Sequence, residues 1–460
     1  MPAAMEEELY FMDKTSELGS KPIGALLAQY SIPAVIAMVV NAIYNVVDRV
    51  FIGKFVGETA LAGLTISFPI MMVIFAFANL VAIGGAALLS IRLGEKDEKG
   101  ASKIFGNTLG FGVIVSLIIL SLILYNLQYL LGLFGATSEV MDSAKTYLTI
   151  IICGFIFQMI SFTLNSAVRT EGQPILSMIA MLSSAFTNII LDYLFIVVFG
   201  WGVAGAAYAT VAGQLVGLMI LLSFYMRGKS HLSLSPKDFR LSLKILSQIT
   251  TIGFATFFST LGTSVAMLFL NRALSQYGGV AAVTAMGVIN SLYTFFIMPI
   301  IGITQGLQPI IGYNHGSGQR ARVSKALRLA LLVGIVFSSV VFALLQVFPE
   351  AFISMFLSVG SPTIALTVNG LRIFLLMLPL LSINLIGVSY FQATGKGKTS
   401  MFLGMLRQFV FLLPLLFVLP RFWALNGVWF ATPIADALSI LVTIVVLLMA
   451  RKPTKVIQEA

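Results

Sequence analysis

Asn41-Ala-Ile-Tyr44-Asn45-Val-Val-Asp48 lies late in an apolar run, residues 24–52, built mainly of Leu, Ile, Val, Ala and Met. Asn41, Tyr44, Asn45 and Asp48 recur at i, i+3, i+4 and i+7, the spacing that puts side chains on one face of an α-helix. A carboxylate inside a membrane helix costs about 2.5–3.5 kcal/mol even on the lenient insertion scale. The run therefore reads as a transmembrane helix, and Asp48 with its polar stripe reads as a candidate site. The bland alternative is an Asp48 solvated at the outer interface.

The remaining sequence has the same character. Of 460 residues, 58% are hydrophobic and 10% charged, with a mean hydropathy of +0.99. A soluble domain carries roughly 25% charged residues, so the chain is a polytopic, all-α integral membrane protein. The net charge of +10 does not mark a nucleic-acid partner, because the bases sit in short loops between apolar runs. Cys153 is the one cysteine, which excludes an intrachain disulfide. His231 and His315 are isolated in polar loops, so no metal site is expected and no cofactor is implied. Residues 1–23, with Glu6, Glu7, Glu8, Asp13 and Glu17, lack the basic and apolar regions of a signal peptide and predict a short, flexible cytoplasmic tail.

Runs long enough to cross a bilayer, about 20 residues at 1.5 Å each, recur twelve times, near 24–52, 60–90, 105–131, 143–168, 175–200, 203–226, 246–271, 281–312, 327–348, 365–393, 400–420 and 426–450. With the N-terminus in the cytoplasm, most of the 28 Lys and Arg residues fall on cytoplasmic segments, and Arg407 lies within a span. The positive-inside rule then places both termini in the cytoplasm.

The basic loop 227–245 divides the chain into a first lobe, 24–226, and a second lobe, 246–450, followed by a tail, 451–460. The lobes resemble each other at an offset of 222: Gly94 matches Gly316, Trp201 matches Trp423, Gly205 matches Gly427 and Thr210 matches Thr432. Two six-span repeats have the same orientation, so their twofold axis lies along the membrane normal. This is the architecture of a rocking carrier.

The acids are distributed unequally. Asp48 aligns with Leu268, while Asn188 and Asp192 align near Val410 and Pro414. In the first lobe, Ser184, Asn188 and Asp192 share one helical face, and Thr210 and Gln214 lie at i and i+4 in a Gly-Ala-rich span that permits close helix approach. Two carboxylates, amides and a hydroxyl are hard oxygen donors, suited to an alkali cation or to proton uptake. Interhelical hydrogen bonding is the structural alternative, worth about 0.6 kcal/mol per contact, but two buried aspartates are a costly form of it. The second lobe has Asp436, with Thr432 one turn before it and no comparable polar stripe.

At this point the chain resembles the multidrug and toxic compound extrusion (MATE) family, in its DinF-type branch and MepA-like group. The resemblance rests on Tyr44-Asn-Val-Val-Asp48-Arg-Val-Phe-Ile-Gly53, Leu61-Ala-Gly-Leu-Thr, Arg92-Leu-Gly94-Glu-Lys-Asp-Glu-Lys-Gly100-Ala, Arg169-Thr-Glu-Gly172-Gln-Pro174, Asn188-Ile-Ile-Leu-Asp192, Gly202-Val-Ala-Gly205-Ala-Ala, Gln308-Pro-Ile-Ile-Gly-Tyr313-Asn-His-Gly316-Ser-Gly and Gln392-Ala-Thr-Gly395. It implies a MATE fold in a bacterial or archaeal cytoplasmic membrane, and export of organic cations or lipophilic drugs in antiport with Na⁺ or H⁺. Carried over by position, it implies a cation site at Asp48, Asn188, Asp192 and Thr210 and a bend of the first span at Pro33. Asn41, Tyr44, Asn45, Ser184 and Gln214 are additional polar candidates. Other branches carry second-lobe acids where this chain has Met267, Leu268 and Asn290, which removes a second-lobe coupling site of that kind.

The expected mechanism follows from the acid pair. Two close aspartates cannot both stay charged and unpaired in an apolar lobe. A small inorganic cation from outside would neutralise Asp48 and Asp192, weaken attraction for a cationic substrate and release it. Met38, Phe68, Met71, Phe75, Met159, Met267, Asn290, Tyr293 and Asp436 are candidate substrate contacts, although Met and Phe more often fill helix bundles. The expected partners are small organic cations or drugs and membrane lipid, with the protein acting as a monomer. A lipid-linked precursor flippase would need several cavity Arg or Lys residues. A prenyltransferase-type membrane enzyme would need paired Asp-rich motifs. Both rank below the exporter. Gly84-Gly85 and Gly316-Ser-Gly318 have no preceding strand and no following Gly-Lys-Thr/Ser, so ATP binding is not expected.

Overall fold

A computed structural model describes residues 14–230, 232, 235–357 and 363–451, and among these it contains helices and no strand. The first lobe is α1 (Ile23–Phe51, continued by a π-helical turn, Ile52–Val56), α2 (Glu58–Gly94), α3 (Glu98–Tyr125), α4 (Ser138–Thr170), α5 (Pro174–Asp192, continued by a π-helical turn, Tyr193–Val198) and α6 (Gly202–Met226). The 105–131 run is not one span. It breaks at Asn126, whose amide donates back to the Leu122 carbonyl at 2.9 Å, and a short helix, Leu127–Leu133, follows.

The second lobe contains two elements too long for single crossings. Leu243–Gly316 has 74 residues, about 110 Å at helical rise, against a hydrocarbon core of about 30 Å. Gly279 takes φ 63° and ψ −160°, a left-handed conformation that glycine reaches without a Cβ clash. It splits the element into α7 (243–278) and α8 (280–316). Both ends of the element meet the same stretch of α2: Gly253 lies on the Leu80 carbonyl and Gly316 on the Ile91 carbonyl, so the chain doubles back. Pro299 and Pro309 lie inside α8.

Next come α9 (Arg320–Val347) and α10, whose halves Thr363–Phe374 and Leu378–Ala393 meet at 48°. Pro379, second in the latter half, lacks an N–H and crowds the preceding turn. The last element begins at Gly397, carries a π-helical stretch over Leu406–Leu412, and folds at Ala424 (φ 45°) into α11 (397–423) and α12 (425–451). Twelve helical legs result among the described residues.

The core explains how the lobes meet. At the end bearing the basic loops, one apolar cluster runs across both lobes, joining Leu26, Tyr30, Leu89 and Leu164 to Ile303, Leu307, Ala326 and Ile386. Two further clusters are each confined to one lobe, built from residues of 266–435 and of 52–207. Another joins first-lobe residues such as Ile74, Leu80 and Phe155 to Phe257 of α7. The lobes therefore share core at the basic end and along the α2–α7 contact, and each also has a core of its own.

Of the segment 1–23 expected as a flexible tail, residues 1–13 lie outside the described residues, and the remainder departs from expectation. Residues 14–20 are helical and docked rather than a flexible tail. Leu18 is fully buried, and its carbonyl accepts from Asn314 at 2.8 Å and Arg322 at 3.0 Å, both on the second lobe. Thr15 donates to the Glu171 carbonyl of the first lobe at 3.2 Å.

Candidate functional site

The site begins with α1 and α5, which pack side by side in the first lobe. Their polar faces meet. Asp48 is 8% exposed, Asn188 3% and Asp192 0%. Asp48 and Asp192 are close neighbours, and Tyr44 lies near both. One turn before Asp192, Asn188 donates to the Thr210 hydroxyl of α6 at 3.3 Å, and Thr210 donates to the Ala206 carbonyl at 3.0 Å.

The donors end there. Asp48 Oδ1, Asn188 Oδ1 and both carboxylate oxygens of Asp192 are buried with no hydrogen-bond partner. Among the described residues no Lys or Arg lies within 4.0 Å of either acid. Arg49 follows Asp48 in sequence but is exposed, with its guanidinium 5.2 Å from the centre of the Phe68 ring. A buried, unsatisfied acceptor costs about 1–3 kcal/mol, and more when charged. Four such oxygens in one lobe form a site short of a proton or a hard cation.

Local backbone supports this geometry. π-Helical turns begin four residues after Asp48, at Ile52, and immediately after Asp192, at Tyr193. Such turns recur at functional sites because they re-aim side chains on either side. Both are in register with the acids, and Gly213 lets α6 approach the Ser184 carbonyl and the Asn188 Cβ.

Other sequence-predicted residues are placed as follows. Asn45 is exposed and donates to the Asn41 carbonyl at 2.7 Å. Ser184 and Gln214 are half-buried and make no hydrogen bond to the acid pair among the described residues. Pro33 is buried in the closed half of α1, where Gly302 and Gly306 of α8 lie against Val35 and Ser31. Met38 accepts a weak hydrogen bond from Gln305 of the other lobe at 3.6 Å. Met71 packs partly buried between two first-lobe clusters, and Phe75 meets Phe162 edge-on at 5.5 Å. Met267, Asn290 and Tyr293 are half-buried in the second lobe.

Two candidate cavity residues are enclosed in this structure. Met159 is fully buried, packed with Phe155 and Val81. Asp436 is not an open contact either. It is buried in an ion pair with Arg407 of α11.

Two residues were missed from the sequence. Tyr147 of α4, 2% exposed, neighbours Asp48, Tyr44 and Asp192. It sits in the polar start of α4, beside Lys145, Thr146 and Thr149, where one more polar side chain does not stand out. Arg169 is buried, donating to Asn165 at 2.7 Å, Ser166 at 3.1 Å, Ser177 at 3.3 Å and, across the lobes, Gln305 at 3.1 Å. Its place in the Arg169-Thr-Glu-Gly172 motif was the available signal.

A family model described as MatE matches this chain twice, over residues 33–194 and 255–418. The chain belongs to the MatE family. Among curated relatives, the multidrug export protein MepA of Staphylococcus saprophyticus is 27% identical over 452 residues, 97% of each chain. Among solved structures, the MATE multidrug transporter DinF-BH is 38% identical, with a TM-score of 0.87 over 94% of this chain and 97% of that one. An outward-facing multidrug resistance MATE family transporter of the MOP superfamily is 25% identical, with a TM-score of 0.89 over 94% and 97%. The MATE fold is thus common to this MatE protein and its relatives, and the protein spans the membrane many times.

Proposed function

We propose that this MatE protein is a secondary active multidrug exporter that exchanges organic cations or lipophilic drugs for Na⁺ or H⁺, with the ion handled by Asp48, Asn188, Asp192 and Thr210. One observation carries the reading: four buried first-lobe oxygens, all acceptors, have no donor. A proton or a dehydrated alkali cation satisfies them, and so does the positive centre of an organic substrate approaching from the cavity side. The ion and the substrate therefore compete for one pair of charges, which is the requirement for antiport. MepA is a multidrug export protein and DinF-BH a multidrug transporter, which supports this reading.

The basic end of the molecule is taken as cytoplasmic, with both termini there. The lobes share an apolar core at that end, and each also has a core of its own; the acid pair is taken to exchange its ion with the outer side. Ion uptake there discharges the pair and releases the substrate outward. Bending of α1 at Pro33 would loosen the contact with Gly302 and Gly306 that keeps the cytoplasmic side closed.

The test is ethidium efflux from cells and from proteoliposomes with an imposed Na⁺ or H⁺ gradient. Asp48→Asn and Asp192→Asn are each expected to abolish efflux at the ion gradient that half-saturates the wild type, while leaving membrane expression normal. Wild-type efflux in both variants would reject the assignment.

A further inference from the structure

Arg407 and Asp436 form the second buried charge cluster of the membrane domain. Arg407 Nε donates to Asp436 Oδ1, and Tyr293 of α8 neighbours the pair. The side chains are 17% and 5% exposed. Ser439 donates to the Asp436 carbonyl at 2.9 Å, and Gln408 donates to Thr263 of α7 at 2.9 Å. The cluster thus joins α7, α8, α11 and α12. Arg407 also lies inside a π-helical stretch, Leu406–Leu412, as the first-lobe acids lie beside theirs.

The internal repeat relates the two clusters. At the offset of 222, Thr432 and Asp436 of α12 stand where Thr210 and Gln214 stand on α6, and Arg407 of α11 stands where Ala185 stands on α5. Ala185 is one turn from Asn188. In the first lobe the α5–α6 contact is the neutral Asn188–Thr210 bond, with two uncompensated acids beyond it. In the second lobe the equivalent α11–α12 contact is an acid already holding a cation that belongs to the chain.

We propose that Arg407 is the specificity-determining residue that confines ion coupling to the first lobe, by acting as a tethered counter-ion in a second-lobe cation site centred on Asp436. A tethered guanidinium cannot leave with a gradient, so the second lobe stays electrically neutral through the cycle. Its neutrality leaves the first lobe as the part of the bundle whose charge changes. A mobile Na⁺ or H⁺ would take the place of Arg407 if the side chain lost its charge, because Asp436, Tyr293 and Thr432 would remain as oxygen donors.

The experiment isolates the second lobe by using the full chain with Asp48→Asn and Asp192→Asn as the parent. Na⁺ is titrated into purified protein and read by tryptophan fluorescence, for which Trp429 on α12 is a built-in reporter. It is buried, its Nε1 has no partner, and it lies two turns before Asp436. Proton uptake is measured in parallel on weakly buffered samples. Adding Arg407→Met or Arg407→Gln is expected to create a saturable Na⁺ or proton response at least about tenfold above that of the parent. Arg407→Lys should create none, and adding Asp436→Asn should remove the new response.

In transport assays with the first-lobe acids intact, Arg407→Met should raise the number of ions moved per ethidium by one. The proposal is overturned if neither neutral variant gains a response. It also falls if both unfold, because the pair is then purely structural. An equally strong response in the parent would overturn instead the first-lobe assignment above, which separates the two failures.

Discussion

Asp192→Asn removes one charge from the acid pair and almost no volume, which makes its effect calculable. For a monovalent cation centred roughly 4 Å from each carboxylate, an effective dielectric near 20 gives about 4 kcal/mol for each unit-charge interaction. A monovalent cation seated between Asp48 and Asp192 gains about that much from each. Removing one acid therefore weakens ion binding by up to about 4 kcal/mol, or close to a thousandfold. The remaining acid, Asp48, is 8% exposed. The decisive assay is ethidium efflux from proteoliposomes as a function of outside Na⁺ at fixed pH, repeated as a function of outside pH without Na⁺. The half-saturating ion concentration should move by two to three decades in whichever series drives the wild type, as about 4 kcal/mol requires. Asp192→Glu should recover part of that loss. An unchanged half-saturation point in both series would refute the electrostatic reasoning, whatever happened to the maximal rate.

Three further substitutions test other parts of the structure. Tyr147→Phe keeps the buried ring and deletes a hydroxyl beside Asp48 and Asp192, so ion affinity should fall several-fold, about 1 kcal/mol, with Tm unchanged. A fall in Tm with unchanged affinity would show Tyr147 to be packing alone. Gly253→Val places an isopropyl group against the Leu80 carbonyl and should hold the lobes apart at the basic end. Maleimide labelling of Ala393→Cys in a Cys153→Ala background would then rise several-fold from the cytoplasmic side. Arg169→Met leaves Gln305 Oε1 without its donor, while Asn165 Oδ1 keeps the Ser177 hydroxyl, a loss of about 1–3 kcal/mol. A thermal-shift measurement in detergent should show a clear drop in Tm.

Much of the first-lobe site was legible because polar residues are rare in a membrane helix. Against an apolar background, the Asn41–Asp48 and Ser184–Asp192 stripes show their faces at once, and Asn188 does meet Thr210. The lobe contact was also partly legible. The Gln308–Gly316 motif proves to be the strip of α8 that packs on α2, where Gln308 donates to the Ile83 carbonyl at 3.1 Å. The substrate contacts were not legible, and Met159 shows why. Lipid and protein core are equally apolar, so hydrophobic pattern cannot tell a Met that faces lipid from one that is buried. The Arg407–Asp436 pair was hidden for another reason. Its partners are 29 residues apart on the two legs of a hairpin; the turn between the spans 400–420 and 426–450 was legible, but not which faces of its two legs meet.

The join between the lobes is lined by Gly253, Gly302, Gly306 and Gly316 set against bare backbone of α1 and α2. Helix backbones have already satisfied their own N–H and C=O groups, and glycine offers almost no apolar surface to water. At about 25 cal/mol per Å², parting such surfaces wets far less hydrocarbon than parting a leucine zipper would. At these glycines the two halves meet backbone to backbone and can slide without unlocking side chains, so what must be overcome to tip the molecule between its faces resides in the shared apolar cluster around Leu26, Leu89 and Leu307.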